Sequence, residues 1–161
     1  MSDALKQAQQ CLAVHSVNLR ESKVHLRSDV DAWALDRSRT EAQSFRQVSR
    51  IQEVELRLEG GKESSWEYRF NYALGVRLLD EEADETDEGF VPDLEIVAVF
   101  QARYMCHRQL EKEELSAFAE DNVGYHVWPY WREFVQTSCN RVGLLSPIEI
   151  PMYSISRRVH E

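Results

Sequence analysis

Residues 66–78, Trp66-Glu67-Tyr68-Arg69-Phe70-Asn71-Tyr72-Ala73-Leu74-Gly75-Val76-Arg77-Leu78, decide the fold. Every even position is apolar, and the odd ones include Glu67, Arg69, Asn71 and Arg77. A period of two predicts a strand over 65–79 with one buried face. The aromatics at 66, 68, 70 and 72 give that face a large apolar area, expected as core beneath helices.

Three more strands flank it. Over 45–59, Val54, Leu56 and Leu58 alternate with Glu53, Glu55, Arg57 and Glu59. That pattern predicts a half-buried antiparallel strand, apolar inward and charged outward, ending at the Gly60-Gly61 turn. Over 14–28, Val17 and Leu19 are odd but Val24 and Leu26 are even, a phase change that implies a bulge near Arg20–Lys23. Over 94–107 both faces carry apolar residues, so this strand is expected to be covered on both sides in its middle. Residues 29–44, around Trp33 and Leu35, read as a connection with a helical turn.

Helices close the two ends. Ala4, Leu5, Ala8, Cys11 and Leu12 fall on one face of a short helix over 3–13. Residues 110–121 form a second helix with acids in its first turn, and Asn122-Val123-Gly124 breaks it. A third runs from Pro129 to Gly143, since proline suits a first turn and glycine a helix end. The order predicts an α+β fold: a four-stranded antiparallel sheet with two C-terminal helices packed on one face and a short N-terminal helix. The length of 161 residues favours one domain. Its parts are the N-terminal helix 1–13, the sheet 14–107 with an acidic loop 80–93, the helices 110–143, and an extended segment 144–161.

Charge and motifs exclude several function classes. Nine of the 28 acidic residues lie between Asp80 and Glu95, and the rest balance the 19 Lys and Arg. No basic stripe exists to neutralise phosphates, so nucleic acid is not an expected partner. The acidic run itself reads as a solvated, partly disordered loop. Polar residues 1–10 and the lack of a long apolar run predict no signal peptide, no membrane insertion and a cytoplasmic protein. Cys11, Cys106 and Cys139 are odd in number and far apart, which predicts buried apolar thiols rather than a disulfide framework or a metal site. No catalytic or nucleotide-binding motif is present, so the expectation is a protein that is not an enzyme and needs no cofactor.

The segment Trp128-Pro129-Tyr130-Trp131-Arg132-Glu133 narrows the reading. Pro129, Tyr130, Arg132 and Glu133 form a Pro-Tyr-x-Arg-Glu helix start, and Pro147 and Pro151 mark the exit that follows. With the element order, this resembles the SecB export-chaperone family over about residues 14–153. Gln101-Ala102-Arg103-Tyr104 and Glu113-Glu114-Leu115-x-x-Phe118 are similar to SecB-like proteins rather than to the export members. The resemblance implies a homotetramer, a dimer of dimers, that holds unfolded client polypeptides in apolar grooves. Export members deliver clients to the Sec motor ATPase; others serve toxin–antitoxin systems as dedicated chaperones. The export members' further C-terminal helix and tail have no counterpart before Glu161, which argues against docking to that motor.

A holding chaperone needs apolar area rather than reactive groups. Trp33, Phe45, Val54, Leu56 and Leu58 are the candidate client-binding residues, where the resemblance implies a groove. Trp128, Trp131, Phe134 and Val135 are the candidate oligomer interface, because aromatics are enriched at interfaces. Arg132 and Glu133 are expected to pair. The more distant alternative is an oligomeric small-molecule-binding module, since aromatic strand faces also line ligand pockets.

Overall fold

The computed structural model describes residues 1–155, so the last six positions of the expected segment 144–161, Arg157 and Arg158 among them, lie outside the described residues. Helix α1 spans Asp3–Cys11. The strands are β1 (Ala13–Leu26), β2 (Thr40–Arg57), β3 (Ser64–Asp80) and β4 (Leu94–Cys106), and helix α2 spans Lys112–Arg141. The sheet order is β1-β4-β3-β2, antiparallel throughout. Strands β2, β3 and β4 follow one another as a meander. Strand β1 pairs with β4 instead of β2, so the connection from 27 to 39 must cross the end of the sheet.

Local chemistry sets the boundaries. The Ser2 hydroxyl accepts the Leu5 amide at 3.2 Å and caps α1. Strand β1 bulges at His15 and at Arg20, the second where the change of phase places it. The bulge at Arg20 lets Val17, Leu19, Val24 and Leu26 share one face, and the bulge at His15 adds Val14 to it. The crossing connection contains two 3-10 turns, Ala32–Ala34 and Arg37–Arg39, capped by the carboxylates of Asp31 and Asp36. Arg27 fastens its start by donating to Asp93 Oδ1 at 2.8 Å and to the Val91 carbonyl at 2.9 Å. Gly60 adopts φ +78° in the β2–β3 turn, a conformation that favours glycine.

The acidic loop is exposed, but the sheet anchors it. Arg39 approaches Glu81 and Glu82 at 3.8 and 3.6 Å. Arg77 pairs with Glu85 and lies over the Phe90 ring. The Asp93 amide bonds the Leu78 carbonyl at 2.8 Å and leads the chain into β4.

The two expected C-terminal helices are one continuous helix. Gly124 does not break it: the residue is buried, and a Cβ there would come within 2.6 Å of the Tyr72 hydroxyl. It is a glycine of close approach. Pro129 lies inside the helix and lacks the N–H that would bond the Tyr125 carbonyl. An interior proline costs ~3 kcal/mol. Burial of Val127, Trp131, Val135 and Cys139 on both sides of that turn outweighs it. At the N-terminus Glu114 completes a capping box by accepting the Glu111 amide at 2.7 Å. Its carboxylate is also gripped by Arg108 at 3.0 and 2.7 Å.

Helix α2 covers the face that holds the even residues of β3. Phe118 meets Phe70 and Tyr104 there, with ring centres 5.9 and 5.0 Å apart, and Phe134 meets Phe100 at 6.3 Å. Tyr104 is hydrogen-bonded to His126 Nδ1 at 2.9 Å within this core. The opposite face is not covered by any described element. Val97, Val99 and Met105 are half-buried on it, beside Asn71, Gln101 and Arg103. The expectation that β4 is covered on both sides is therefore corrected. Its outward apolar residues shield one another across neighbouring strands.

The cysteines also differ from expectation. Cys11, at the end of α1, is disulfide-bonded to Cys106, at the end of β4, and only Cys139 is a free, buried thiol. Helix α1 folds back onto the end of β4. Two residues 95 positions apart become neighbours through that topology, which local spacing cannot reveal.

Candidate functional site

Sheet register separates the candidate client-binding residues. Phe45 stands opposite Gly75, Val54 opposite Glu67 and Leu56 opposite Ser65. All three therefore lie on the uncovered face, with the Phe45 ring laid over Gly75, where no side chain could fit. The expected polarity of this part of β2 is reversed: Glu53 lies on the helix side and accepts bonds from the Tyr68 hydroxyl and Gln109, both at 2.9 Å. Burial raises the Tyr68 phenol to about 12, so it remains a donor. Leu58 is 74% exposed just beyond β2, and Trp33 is 69% exposed in the crossing connection. Phe45 and Leu58 are roughly 40 Å apart along the strand. These five residues do not form one site.

The structure builds a different groove on the helix side, between edge strand β2 and α2. A bulge at Ser49 turns both Val48 and Ile51 toward the helix, opposite Tyr72 and Phe70. With Arg46, Tyr72 and Ala119 they line a cleft of about 460 Å³. A second cleft of about 310 Å³ continues it past Arg46, Trp128 and Met152.

The chain's own C-terminal segment, residues 150–154, forms one wall of this second cleft. Trp128 Nε1 donates to the Pro151 carbonyl at 2.7 Å, and Arg132 Nε donates to the Ile150 carbonyl at 3.0 Å. Arg46 donates to the Ser154 carbonyl at 3.1 Å. The Arg46 guanidinium lies against the rings of both Trp128 and Tyr153, 5.3 and 4.5 Å from their centres. Tyr153 packs edge-on against Trp128 and Tyr125 and donates to Asp121 at 3.2 Å. Burial pushes its hydroxyl up, so Tyr153 stays a neutral donor.

The helix motif now has physical roles. Pro129 and Tyr130 face outward, and Arg132 fixes the exit segment through Ile150. Glu133 does not pair with Arg132; it accepts the Thr137 hydroxyl at 2.6 Å. Of the candidate interface residues, Trp131 is 1% exposed and Val135 fully buried within the chain, so both belong to the core. They lie under the sheet because the helix continues through Pro129 and keeps its apolar stripe inward. Trp128 is half-covered by the C-terminal segment. Phe134, half-buried, stacks on Trp131 and reaches Phe100. Beside it, Tyr130, Leu19 and Val24 leave apolar surface open on the same face at the β1 edge.

The sequence reading missed Arg46, Val48, Ile51 and Tyr72 as groove residues. A signal was present, since Val48 is even and Ile51 odd within one strand.

The comparisons with known proteins bear on this architecture. No family model matches the sequence, and no curated protein does. Nine chains of solved structures match. One is the Mycobacterium tuberculosis Rv1957 SecB-like chaperone, solved in complex with a ChAD peptide from the Rv1956 HigA1 antitoxin. Its TM-score is 0.63 at 14% identity, covering 97% of this chain and all of that one. The chain therefore has a SecB-like fold. No helix among the described residues is long and apolar enough to cross a membrane.

Proposed function

We propose that this protein is a holding chaperone that binds extended stretches of non-native polypeptide along the β2–α2 groove. One observation carries the reading. The groove already seats an extended peptide, residues 150–154, and holds it through three backbone carbonyls. Every residue has a carbonyl, so this recognition is blind to sequence. Apolar walls at Val48, Ile51 and Tyr72 supply the remaining affinity, at ~25 cal/mol per Å² of surface removed from water. A chaperone of this type acts as one SecB-like domain and needs no catalytic group or cofactor.

Two finer readings accompany it. The antitoxin peptide in the Rv1957 structure favours a dedicated toxin–antitoxin client over delivery to the Sec motor in the cytoplasm. The open surface at Leu19, Val24, Tyr130 and Phe134 supports self-association, with a tetramer as the SecB-like expectation.

The test is suppression of aggregation of an unfolded reporter, with mass measured by light scattering. The wild-type chain suppresses aggregation, and Ile51→Asp suppresses it at least severalfold less. Equal suppression by both proteins would remove the groove from the mechanism. No suppression by the wild type would remove the chaperone reading itself. Tyr130→Asp is expected to lower the mass.

A further inference from the structure

We infer that Cys11, Cys106 and His107 form a redox-active thiol–disulfide site whose state decides whether α1 stays docked. The inference is independent of the chaperone reading. The two cysteine Cα atoms are 5.2 Å apart, within the range a disulfide spans. Both residues are nearly buried, but His107 is exposed, and its Nδ1 lies 3.5 Å from Cys11 Sγ. The site is therefore reached from solvent on the His107 side. A thiolate is the attacking species in disulfide exchange, and a neighbouring imidazole favours it. Cys139 differs: it is buried in the core, and burial pushes its thiol up and leaves it unreactive.

The chemistry balances with a low-molecular-weight disulfide as oxidant. The Cys11 thiolate attacks one sulfur of the small disulfide, forming a mixed disulfide and releasing one small thiolate. The Cys106 thiolate then attacks Cys11 Sγ, forming the internal bond and releasing the second. The protein is oxidised by two electrons, the small disulfide is reduced to two thiols, and the two protein thiol protons pass to the released thiolates. Reduction runs the same steps backward.

Helix α1 is poised to respond. Its nine residues are fewer than the roughly 12–15 that an isolated helix needs. Its docked face is small, with Ala8 and Leu12 buried and Leu5 partly so. The disulfide is a second covalent tie to the sheet, added to the main chain that runs through Leu12 into β1. With the bond open, that short backbone link and the small docked face alone hold α1 in place.

The experiment uses the full chain equilibrated in glutathione buffers of graded composition. Alkylation and mass spectrometry count the free thiols, and hydrogen exchange follows amides 3–11. The expected oxidised form has one alkylatable thiol after denaturation, and the reduced form has three. Exchange in 3–11 is expected to rise at least tenfold on reduction, and Cys11→Ser to match the reduced protein in oxidising buffer. His107→Gln is expected to slow formation of the bond severalfold without changing the protection of the oxidised form. Three results would each overturn the inference. One is a stable mixed disulfide with no internal bond. Another is equal α1 protection in both states. The third is a reduced protein that takes up one equivalent of zinc and then resists oxidation.

Discussion

Gly124→Ala sets helix preference directly against groove packing. In an exposed helix the change stabilises by ~1 kcal/mol, because glycine is the more flexible residue. Here the added Cβ would lie 2.6 Å from the Tyr72 hydroxyl and 2.8 and 2.9 Å from the hydroxyl and Cε2 of Tyr153. Tyr72 is held in a central strand, so Tyr153, near the chain's end, must yield. Its departure gives up a hydrogen bond to Asp121, worth about 1.5–3 kcal/mol with a charged acceptor. It also gives up edge contacts with Trp128 and Tyr125, at ~0.5–1.5 kcal/mol each, and the Arg46 stack at ~0.5–1 kcal/mol. The segment thus loses about 3–7 kcal/mol of docking, more than the helix gains. The assay is Trp128 fluorescence together with proteolytic cleavage of residues 148–155. The variant is expected to show red-shifted emission, cleavage at least tenfold faster, and tighter binding of an unfolded peptide to the vacated groove. In a Tyr153→Ala background the same substitution should cost less. Unchanged emission and cleavage, with Tm raised by about 2–4 °C, would refute the close-approach argument.

Other perturbations probe the framework. Glu114→Gln weakens the Arg108 pairing and the capping box and is expected to cost about 1–3 kcal/mol in urea unfolding. Arg108 beside it holds the Glu114 carboxyl below its usual range, so its contribution is present above the unfolded value near 4.5 and is lost as pH falls through the folded value. The variant's stability profile should be flatter in that window. Burial lowers His126, whose neutral form is bonded to Tyr104, so stability should decline as pH falls below 6.5 toward the folded value, and His126→Gln should remove that slope. Arg27→Met leaves the buried Asp93 carboxylate without its guanidinium and is expected to cost about 2–3 kcal/mol by thermal or urea melts. Trp131→Ala, in the core, should cost about 3–5 kcal/mol.

Alternation in the sequence located the strands well because each has one face under α2. It located the bulge at Arg20 because apolar parity changes there, from Val17 and Leu19 to Val24 and Leu26. The bulge at Ser49 gives the same signal more faintly, since Arg46 and Ser44 also sit on the helix side, and the groove was missed with it. The assignment of Val54 and Leu56 to the core side failed for the same reason: on an edge strand, apolar residues can shelter on an otherwise open face. Gly124 and Pro129 are locally helix-breaking, and only the contacts of Tyr72, Tyr153 and Trp131 reveal why the helix continues. The Cys11–Cys106 pairing and the partnership of β1 with β4 depend on the order of strands in space, which no local pattern encodes.

That order has a consequence for synthesis. Ala13 pairs with Met105, so the first strand to leave the ribosome has its partner 92 residues later. At about 5–20 residues per second, β1 waits roughly 5–20 s before β4 exists. Strands β2, β3 and β4 follow one another as a meander, and β1 must then be recruited to the open side of β4. Until it arrives, the nascent chain carries both an unpaired strand and an unprotected sheet edge. During those seconds it has the properties of a client itself.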